Sequence, residues 1–343
     1  GAFMAKHKNL SIFVPHEGCP NRCSFCDQKS ISGTNAPPTP QEVTQLCERF
    51  LPSEGQGGEE YEIAFFGGSF TAIDHNYMTS LLAAAYPFVQ GKRAAGIRIS
   101  TRPDAIDKDI LHTLKSYGVT SIELGAQSMQ DEVLRLNMRG HTAQQVVSAA
   151  KLIKQEGFSL GLQMMTGLYG QKDYNECARD TAQQFVKLCP DTVRIYPTIT
   201  LEGTLLAQLY AKGEYTPPTL EQTVDICARL IEIFDAKGIK IIKLGLHADE
   251  GMQQKIVAGP YHPAFRELCL SKLFLEKIKD ELTTENVKNC IIKVNPSRLS
   301  QFKGQKNQNI KQLEKLGITA QIISDSTVLE NNFKIETINY SEG

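Results

Sequence analysis

Short apolar runs alternate with amphipathic runs along the first 245 residues of the chain. The apolar runs predict strands at Ser11–Pro15, Glu62–Gly67, Gly96–Arg102, Ser121–Ser128, Ser159–Met165, Thr192–Pro197 and Lys240–Gly245. Helical spacing predicts helices between them, at Gln41–Phe50, His75–Val89, Lys108–Tyr117, Ala143–Gln155, Asp173–Leu188 and Leu220–Ala236. Strands and helices that alternate in this way build a parallel sheet with right-handed crossovers.

Six or seven such units predict an α/β fold, a partial (β/α)6 TIM-like barrel rather than a closed barrel of eight. The composition is that of a globular protein, with 22% charged residues and a formal net charge of −1, so any basic surface must be local. No apolar run approaches the roughly 18 residues of a membrane span. No targeting peptide is recognisable either, so a membrane partner is not expected.

Three cysteines near the N-terminus have the spacing C-x-x-x-C-x-x-C: Cys19, Cys23 and Cys26. Three thiolates without a fourth nearby would leave one iron of a [4Fe–4S] cluster open to other ligands, which makes a metal centre reactive. The odd cysteine count and the size of the chain argue against a disulfide framework. A zinc site would need His16 as its fourth ligand, at an unusual spacing.

The cysteine spacing, with Phe25 before the last cysteine, resembles that of radical S-adenosylmethionine (SAM) enzymes. After the second predicted strand, the segment Phe65–Phe70 contains Gly67-Gly68-Ser69 and resembles the motif of those enzymes that binds the methionine amino group of SAM. Two glycines at a strand end also let the backbone approach a ligand closely. Free cysteines and an oxygen-sensitive cluster together imply a reducing cytoplasm.

Later strand-end segments resemble, in order, the radical domain of the elongator complex catalytic subunit, which acts on wobble uridine in tRNA. They are Ser100–Asp104, Glu123–Ser128, Arg139–His141, Tyr196–Thr198, Glu202–Thr204 and Gly259–Leu268. The resemblance spans residues 11–275, interpreted as the radical SAM barrel. Residues 1–10 are interpreted as a tag and N-terminal extension, and residues 276–343 as a small basic α+β module.

The resemblance implies two cofactors, a [4Fe–4S] cluster and SAM, and assigns residues to each. Cluster ligation falls to Cys19, Cys23 and Cys26, and the methionine moiety of SAM to Gly67, Gly68 and Ser69. Contacts to the ribose and carboxylate fall to Ser100, Arg102 and Gln127. Arg102 offers a charged fork suited to a carboxylate, the alternative being an ion pair with Asp104 at the barrel rim. Three histidines are expected to cap or pack rather than to act as bases: His141, His247 and His262.

Some segments depart from the elongator pattern. Ser100 stands where the elongator subunit has a glutamate, so ribose recognition is expected to differ. The segment Met164–Gln171 leans toward oxygen-independent coproporphyrinogen oxidases. The residues after 275 are too few for the acetyltransferase domain of the elongator subunit, which places acetyl-coenzyme A chemistry in doubt.

The segment Asn286–Lys315 has seven lysines and arginines against one glutamate. Its pattern predicts a strand, a short helix around Arg298, a turn at Gly304–Asn307, a helix and a strand. This order resembles a minimal KH module, whose GXXG loop clamps a nucleic-acid backbone. RNA contacts are therefore predicted for Lys293, Arg298, Lys303, Gly304, Lys306 and Lys311. The alternative is a solvated basic cap on the barrel.

These patterns favour a cytoplasmic radical SAM enzyme that modifies a tRNA or rRNA base and receives electrons from a donor such as flavodoxin or ferredoxin. A second hypothesis is a small-molecule radical enzyme of the coproporphyrinogen-oxidase type, supported by the Met164–Gln171 segment. A third is an RNA-binding protein with a structural or sensory cluster. Cleavage of SAM, and its dependence on RNA, distinguish the three.

Overall fold

The computed structural model describes residues 8–15, 23–26, 36–246 and 248–338. Cys19, His16 and His247 lie outside the described residues. The chain divides into two compact units, Gly1–Pro218 with Ile233–Pro260 and Thr219–Glu232 with Tyr261–Gly343. The two units are defined by which residues pack together. The predicted domain boundaries, after residue 10 and after residue 275, stay predictions. No helix of the described residues is long and apolar enough to cross a membrane.

The first unit is built on a parallel sheet of seven strands. They are β1 (Lys8–Val14), β2 (Tyr61–Gly67), β3 (Gly96–Thr101), β4 (Val119–Gln127), β5 (Ser159–Thr166), β6 (Thr192–Pro197) and β8 (Lys240–Leu244). They pair in the order β1-β2-β3-β4-β5-β6-β8. A short antiparallel pair adds β7 (Thr200–Leu201) and β9 (Ile256–Ala258). The predicted α/β partial barrel is confirmed, with a seventh strand beyond the six-fold core.

The helices of this unit are α1 (Pro40–Phe50), α2 (His75–Gln90), α3 (Lys108–Ser116), α4 (Asp131–Leu136), α5 (Ala143–Gln155), α6 (Tyr174–Leu188), α7 (Leu205–Ala211) and α9 (Glu250–Gln253). Helix α8 (Leu220–Asp235) belongs to the second unit up to Glu232. Side-chain caps fix most of their starts. Thr39 and Thr142 form capping boxes with Glu42 and Gln145, which satisfy backbone N–H groups that the helix cannot. Helix α4 begins without a side-chain cap, and it escaped prediction because it is short and lacks this signal.

The barrel interior holds buried charges, which the sequence analysis did not anticipate. Glu123 on β4 is 1% exposed and binds two arginines. Arg98 Nη1 donates to Oε1 at 3.1 Å, and Arg194 Nη2 donates to the same oxygen at 3.0 Å. Gln163 Nε2 donates to Oε2 at 3.1 Å. Gly161 leaves room for this carboxylate, because a Cβ there would lie 2.8 Å from Cγ of Glu123.

A second buried carboxylate, Glu62 on β2, completes the arrangement. Arg98 Nε donates to Oε2 of Glu62 at 2.6 Å, and Ser121 Oγ donates to Oε1 at 3.0 Å. Both arginines thus face carboxylates, which a buried charge requires. The network joins side chains from β2, β3, β4, β5 and β6 and therefore fixes the register of these strands.

The second unit contains α10 (Phe265–Thr284), β10 (Asn289–Val294), α11 (Leu299–Lys303), α12 (Gln308–Lys315), β11 (Thr319–Ser324) and β12 (Phe333–Thr337). Strand β10 pairs with β11 in parallel and with β12 in antiparallel. Phe302 stacks on Phe274 with ring centroids 4.0 Å apart and meets Phe333 edge-on at 6.0 Å. The predicted strand–helix–loop–helix–strand order is confirmed, and β12 and α10 are additional elements.

We expect Glu123→Gln to lower the free energy of unfolding by about 3–5 kcal/mol, because the buried guanidinium of Arg98 and the half-buried one of Arg194 lose their shared counter-charge. Urea denaturation of the purified chain measures this. Glu132→Gln is the matched control, since its ion pair with Arg135 is exposed and should leave stability nearly unchanged. Equal stability of the two variants would contradict the assigned role of Glu123.

Candidate active site

A cavity of about 490 Å³ opens at the C-terminal ends of the barrel strands in the first unit. In barrels of parallel strands this is the edge where functional side chains collect. The cavity is lined by the two described cysteines of the motif, Cys23 and Cys26. It is also lined by every residue predicted to contact SAM: Gly67, Gly68, Ser69, Ser100, Arg102 and Gln127. These residues come from the ends of three strands, β2, β3 and β4, and from the cysteine loop, and they converge on one space.

The glycine pair after β2 lies against the end of β1. Gly67 has φ +123°, and a Cβ there would lie 2.3 Å from the carbonyl oxygen of Val14. Gly68 N donates to the same oxygen at 3.0 Å. Only glycine permits this backbone at position 67, because residues with a side chain rarely adopt such a φ and a Cβ here would collide with Val14. The close approach leaves bare backbone along the cavity wall.

Ser69 joins this glycine turn to β3. Its hydroxyl lies 2.8 Å from Oγ1 of Thr101 and accepts a hydrogen bond from the backbone N–H of Arg102 at 3.1 Å. Thr101 Oγ1 also lies 2.6 Å from Oγ1 of Thr71. The side chain of Ser69 therefore has a structural use, and the contact predicted between Ser69 and the methionine moiety of SAM stays a prediction.

Arg102 forms the ion pair that the sequence analysis kept as an alternative. Its Nε and Nη2 donate to Oδ1 and Oδ2 of Asp104 at 2.9 and 2.8 Å. Burial acts to raise the pKa of Asp104, but the hydrogen bonds and charge of Arg102 outweigh it and hold that pKa below its usual value. Two of the donors of the Arg102 fork are thus already engaged within the protein.

Four cavity-lining residues have a buried polar atom without a hydrogen-bond partner among the described residues. One of these atoms, Arg194 Nε, lies 2.7 Å from Oε2 of Glu123 in an ion pair, and the other three have no ion pair either. They are Ser100 Oγ, Gln127 Oε1 and Arg139 Nε. Gln127 also has φ +67°, an uncommon conformation for a residue other than glycine. Because buried polar groups are nearly always satisfied, these three atoms fit a polar ligand such as SAM in the cavity.

Arg139 is a site residue that sequence reasoning missed. Its Nη1 donates to Sγ of Cys23 at 3.1 Å, and its Nη2 donates to the carbonyl oxygen of Gly125 at 2.6 Å. A fixed cation beside this sulfur would balance the negative charge of a thiolate ligand. The sequence placed Arg139 in a family-like turn, but nothing in its pattern indicated the contact with Cys23.

The two described candidate histidines occupy packing and capping positions. His141 is 5% exposed, and its Nε2 lies 3.1 Å from the carbonyl oxygen of Ala126. Burial, reinforced by the charge of Arg139, lowers the pKa of His141 to about 4. In the second unit, His262 Nδ1 accepts from the backbone N–H of Ala264 at the start of α10. Neither histidine lines the cavity.

The segment Met164–Gln171 is explained by packing. Gln171 Oε1 accepts hydrogen bonds from the backbone N–H groups of Gly167 and Leu168 at 3.1 and 3.0 Å, which shapes the turn after β5. Met164 is fully buried, and Met165 lines the cavity. The features that lean toward coproporphyrinogen oxidases therefore have a structural use in this chain.

The predicted RNA-binding residues of the second unit fall into two groups. Lys293 pairs with Glu336 on β12, and Arg298 Nη2 lies 3.4 Å from Oε2 of Glu330. These acidic partners come after residue 315 and were not part of the basic segment that the sequence analysis singled out. The ion pairs occupy both side chains inside the unit.

The other predicted residues lie on and beside the loop between α11 and α12. Lys306 and Lys311 are exposed, Lys303 is half-buried, and none of the three has an ion pair among the described residues. The loop backbone has φ +72° at Gly304, +51° at Lys306 and +58° at Asn307. Asparagine tolerates this geometry better than most residues.

The fold and the cavity define a partial barrel with a cysteine loop at the C-terminal edge of its sheet. Two family models match the chain, the Radical SAM superfamily over residues 13–183 and the Radical_SAM C-terminal domain over residues 190–274. The chain belongs to the Radical SAM superfamily, a class of enzymes. The resemblance seen in its motifs is thereby confirmed, and this family implies SAM and a [4Fe–4S] cluster.

Curated relatives carry names from tRNA modification. The tRNA uridine(34) acetyltransferase of Dehalococcoides mccartyi (strain CBDB1) is 27% identical over 232 residues, 58% of this chain and 50% of that protein. Elongator complex protein 3 of Dictyostelium discoideum is 27% identical over 259 residues, 67% of this chain and 44% of that protein. The chain thus spans half or less of the length of these relatives.

A solved structure shares the fold. The archaeal Methanocaldococcus infernus Elp3 with an N-terminal deletion (1–46) aligns at a TM-score of 0.60 and 20% identity. The alignment covers 80% of this chain and 63% of that chain. At this identity the likeness establishes the fold of the barrel and leaves the substrate to be argued from the site.

The low pKa of His141 predicts a pH-dependent stability. The unfolded histidine titrates near its ordinary pKa of about 6.5, so between about pH 6.5 and 4 the unfolded state binds more protons than the folded state. We expect the free energy of unfolding to fall through this range by up to about 3 kcal/mol on account of His141. Urea titrations at stepped pH measure it.

The matched variant is His141→Gln, whose neutral amide does not titrate. It should show a shallower loss of stability between pH 6.5 and 4 than the parent chain. Identical slopes for the two proteins would show that His141 is not held neutral by the fold.

Proposed function

We propose that this chain is a radical SAM enzyme that modifies a base of tRNA or rRNA. The observation that carries the proposal is the single cavity in which Cys23 and Cys26 meet the glycine turn after β2 and three unpartnered polar atoms. A [4Fe–4S] cluster held by Cys19, Cys23 and Cys26 would supply, once reduced, the one electron needed to cleave SAM into methionine and a 5′-deoxyadenosyl radical. The tRNA-modifying names of the curated relatives support RNA as the substrate class.

In this proposal the chain's residues bind and orient. Cys19, Cys23 and Cys26 would hold the cluster, and the backbone of Gly67 and Gly68 would face the methionine amino group. Ser100 and Gln127 would direct their unpartnered oxygens to the SAM ribose and the groups beside it.

The carboxylate of SAM needs a cation beside the cysteine loop. Arg102 Nε and Nη2 are engaged by Asp104. Arg139 Nη1 and Nη2 are engaged by Cys23 and Gly125, but its Nε has no hydrogen-bond partner among the described residues, and we therefore assign this contact to Arg139. Arg102 would then act indirectly, through the ion pair with Asp104 that shapes the end of β3.

The second unit would bind the RNA backbone. Three lysines of the predicted set have no ion pair among the described residues: Lys303, Lys306 and Lys311. Lys306 lies in the loop that begins at Gly304, and the other two lie in the helices on either side of it. Contacts to phosphate give salt-sensitive affinity rather than sequence readout. A cytoplasmic electron donor such as flavodoxin or ferredoxin completes the proposed system.

The motif cysteines are the proposed ligands of the cluster, and their substitution tests the enzyme activity. We expect the anaerobically reconstituted chain, given dithionite and SAM, to release 5′-deoxyadenosine, and cellular RNA to increase that release. Cys23→Ser and Cys26→Ser should lose cluster absorbance and 5′-deoxyadenosine formation. Cys189→Ser is the matched control, because Cys189 is an exposed cysteine away from the cavity.

Each other outcome points to a different hypothesis. If RNA does not change the release of 5′-deoxyadenosine, the result would favour a small-molecule substrate of the coproporphyrinogen type. A loaded cluster without any SAM cleavage would leave an RNA-binding protein with a structural or sensory cluster.

The lysines on and beside the loop between α11 and α12 are the proposed phosphate contacts, and their substitution tests RNA binding. Lys306→Glu combined with Lys311→Glu should weaken tRNA binding about tenfold or more and flatten its dependence on salt, because two phosphate contacts are lost. Filter binding or fluorescence anisotropy at several salt concentrations measures both. Lys288→Glu is the matched control, since Lys288 is exposed but lies at the start of β10, where its carbonyl accepts from Thr319. Equal losses for the control and the loop variant would contradict a specific surface.

A further inference from the structure

The described part of the cysteine loop is held by one small buried residue, Ser24. Ser24 lies between Cys23 and Cys26 and is fully buried. Its backbone N–H donates to the carbonyl oxygen of Asn137 at 3.2 Å, and its hydroxyl donates to Oδ1 of Asn137 at 2.7 Å. Its own carbonyl oxygen accepts from the N–H of Leu206, at the start of α7, at 2.8 Å. All three polar groups of Ser24 are therefore bound by other parts of the first unit.

Asn137, the residue directly after α4, is equally committed and equally buried. Its Nδ2 donates to the carbonyl oxygens of Val133 and Tyr169, each at 2.8 Å. The amide thus ties the cysteine loop to α4 and to the turn after β5. Asparagine suits this place because one amide supplies an acceptor for Ser24 and two donors for the carbonyl groups.

The same turn also reaches the first described cysteine. Arg139 stands two residues after Asn137 and donates to Sγ of Cys23 at 3.1 Å. The turn from Asn137 to Arg139 therefore contacts the loop at two successive residues, through the backbone and hydroxyl of Ser24 and through the sulfur of Cys23.

We propose that Asn137 is a positioning residue that holds the Cys23–Cys26 loop in place through Ser24 before any metal binds. Ordering a loop costs about 1–2 kcal/mol of conformational entropy per residue. A loop already ordered by Asn137 leaves more of the metal–thiolate binding free energy for retaining the metal. That the bound group is a [4Fe–4S] cluster rests on the proposed function, whereas the ordering of the loop does not.

Ser24→Ala tests the proposal, because it removes one hydroxyl and leaves the backbone contact to Asn137. In the metal-free, reduced full chain we expect alkylation of Cys23 and Cys26 by iodoacetamide, followed by mass spectrometry, to be several-fold faster than in the parent chain. Alkylation of Cys189 in the same sample should be unchanged, since that exposed cysteine lies at the end of α6.

Ser121→Ala is the matched control. Its buried hydroxyl donates to Glu62 at 3.0 Å in the same unit, away from the cysteine loop. We expect this variant to alkylate Cys23 and Cys26 at the parent rate. Equal acceleration in both variants would mean general destabilisation and would overturn the proposal. If Ser24→Ala brings no acceleration, Asn137→Ala, which removes the side-chain contacts to Ser24, Val133 and Tyr169, decides: a parent-like alkylation rate in that variant as well would overturn the proposal.

Cluster retention gives the second readout. After anaerobic reconstitution, Ser24→Ala should release iron to a chelator several-fold faster than the parent chain and Ser121→Ala. If the parent chain fails to assemble a cluster but alkylation still rises in Ser24→Ala, the proposed function fails and the positioning role of Asn137 stands. If the cluster assembles and both rates are unchanged in Ser24→Ala and in Asn137→Ala, the positioning role fails alone.

Discussion

The first unit depends on two carboxylates buried inside its barrel. Glu62 and Glu123 are 3% and 1% exposed, so each needs counter-charges at close range, and Arg98 and Arg194 supply them from neighbouring strands. A slip of one strand against the next disturbs any close-packed core. An ionic network tolerates it poorly, because a slip leaves a charge without its partner. The network thus favours a single register for the strands whose ends form the cavity.

Fixed strand ends in turn determine what reaches the cavity. Gly67 can press against Val14 only because β1 and β2 end side by side, and Ser69 can bind Thr101 only because β2 and β3 do. The cysteine loop is then attached to this edge through Asn137 and Arg139. The site is therefore assembled from strand ends whose positions follow from the packing beneath them.

The sequence predicted the seven strands of the large sheet to within three residues at each end, because buried parallel strands are apolar runs bounded by clear helical periodicity. The residues that its motifs assigned to SAM, and the two described cysteines, do line the cavity, while their contacts with SAM and a cluster stay predictions. Contacts between distant residues were out of its reach. Arg139 and Cys23 are 116 residues apart, and Lys293 pairs with Glu336 from a strand that the pattern did not show. Hydrophobic periodicity indicates which face of an element a residue occupies, but it does not predict which distant residue that side chain contacts.

The chemical character of the cavity wall agrees with chemistry supplied by a bound cofactor. Among the described residues, the wall carries two thiols and three arginines, Arg102, Arg139 and Arg194, but no carboxylate and no imidazole. Tyr196 is the remaining ionisable group there, and burial raises its pKa, so it keeps its proton at neutral pH. The described wall offers guanidinium groups for a carboxylate and sulfur for a metal, which fits the SAM and the [4Fe–4S] cluster that the family implies.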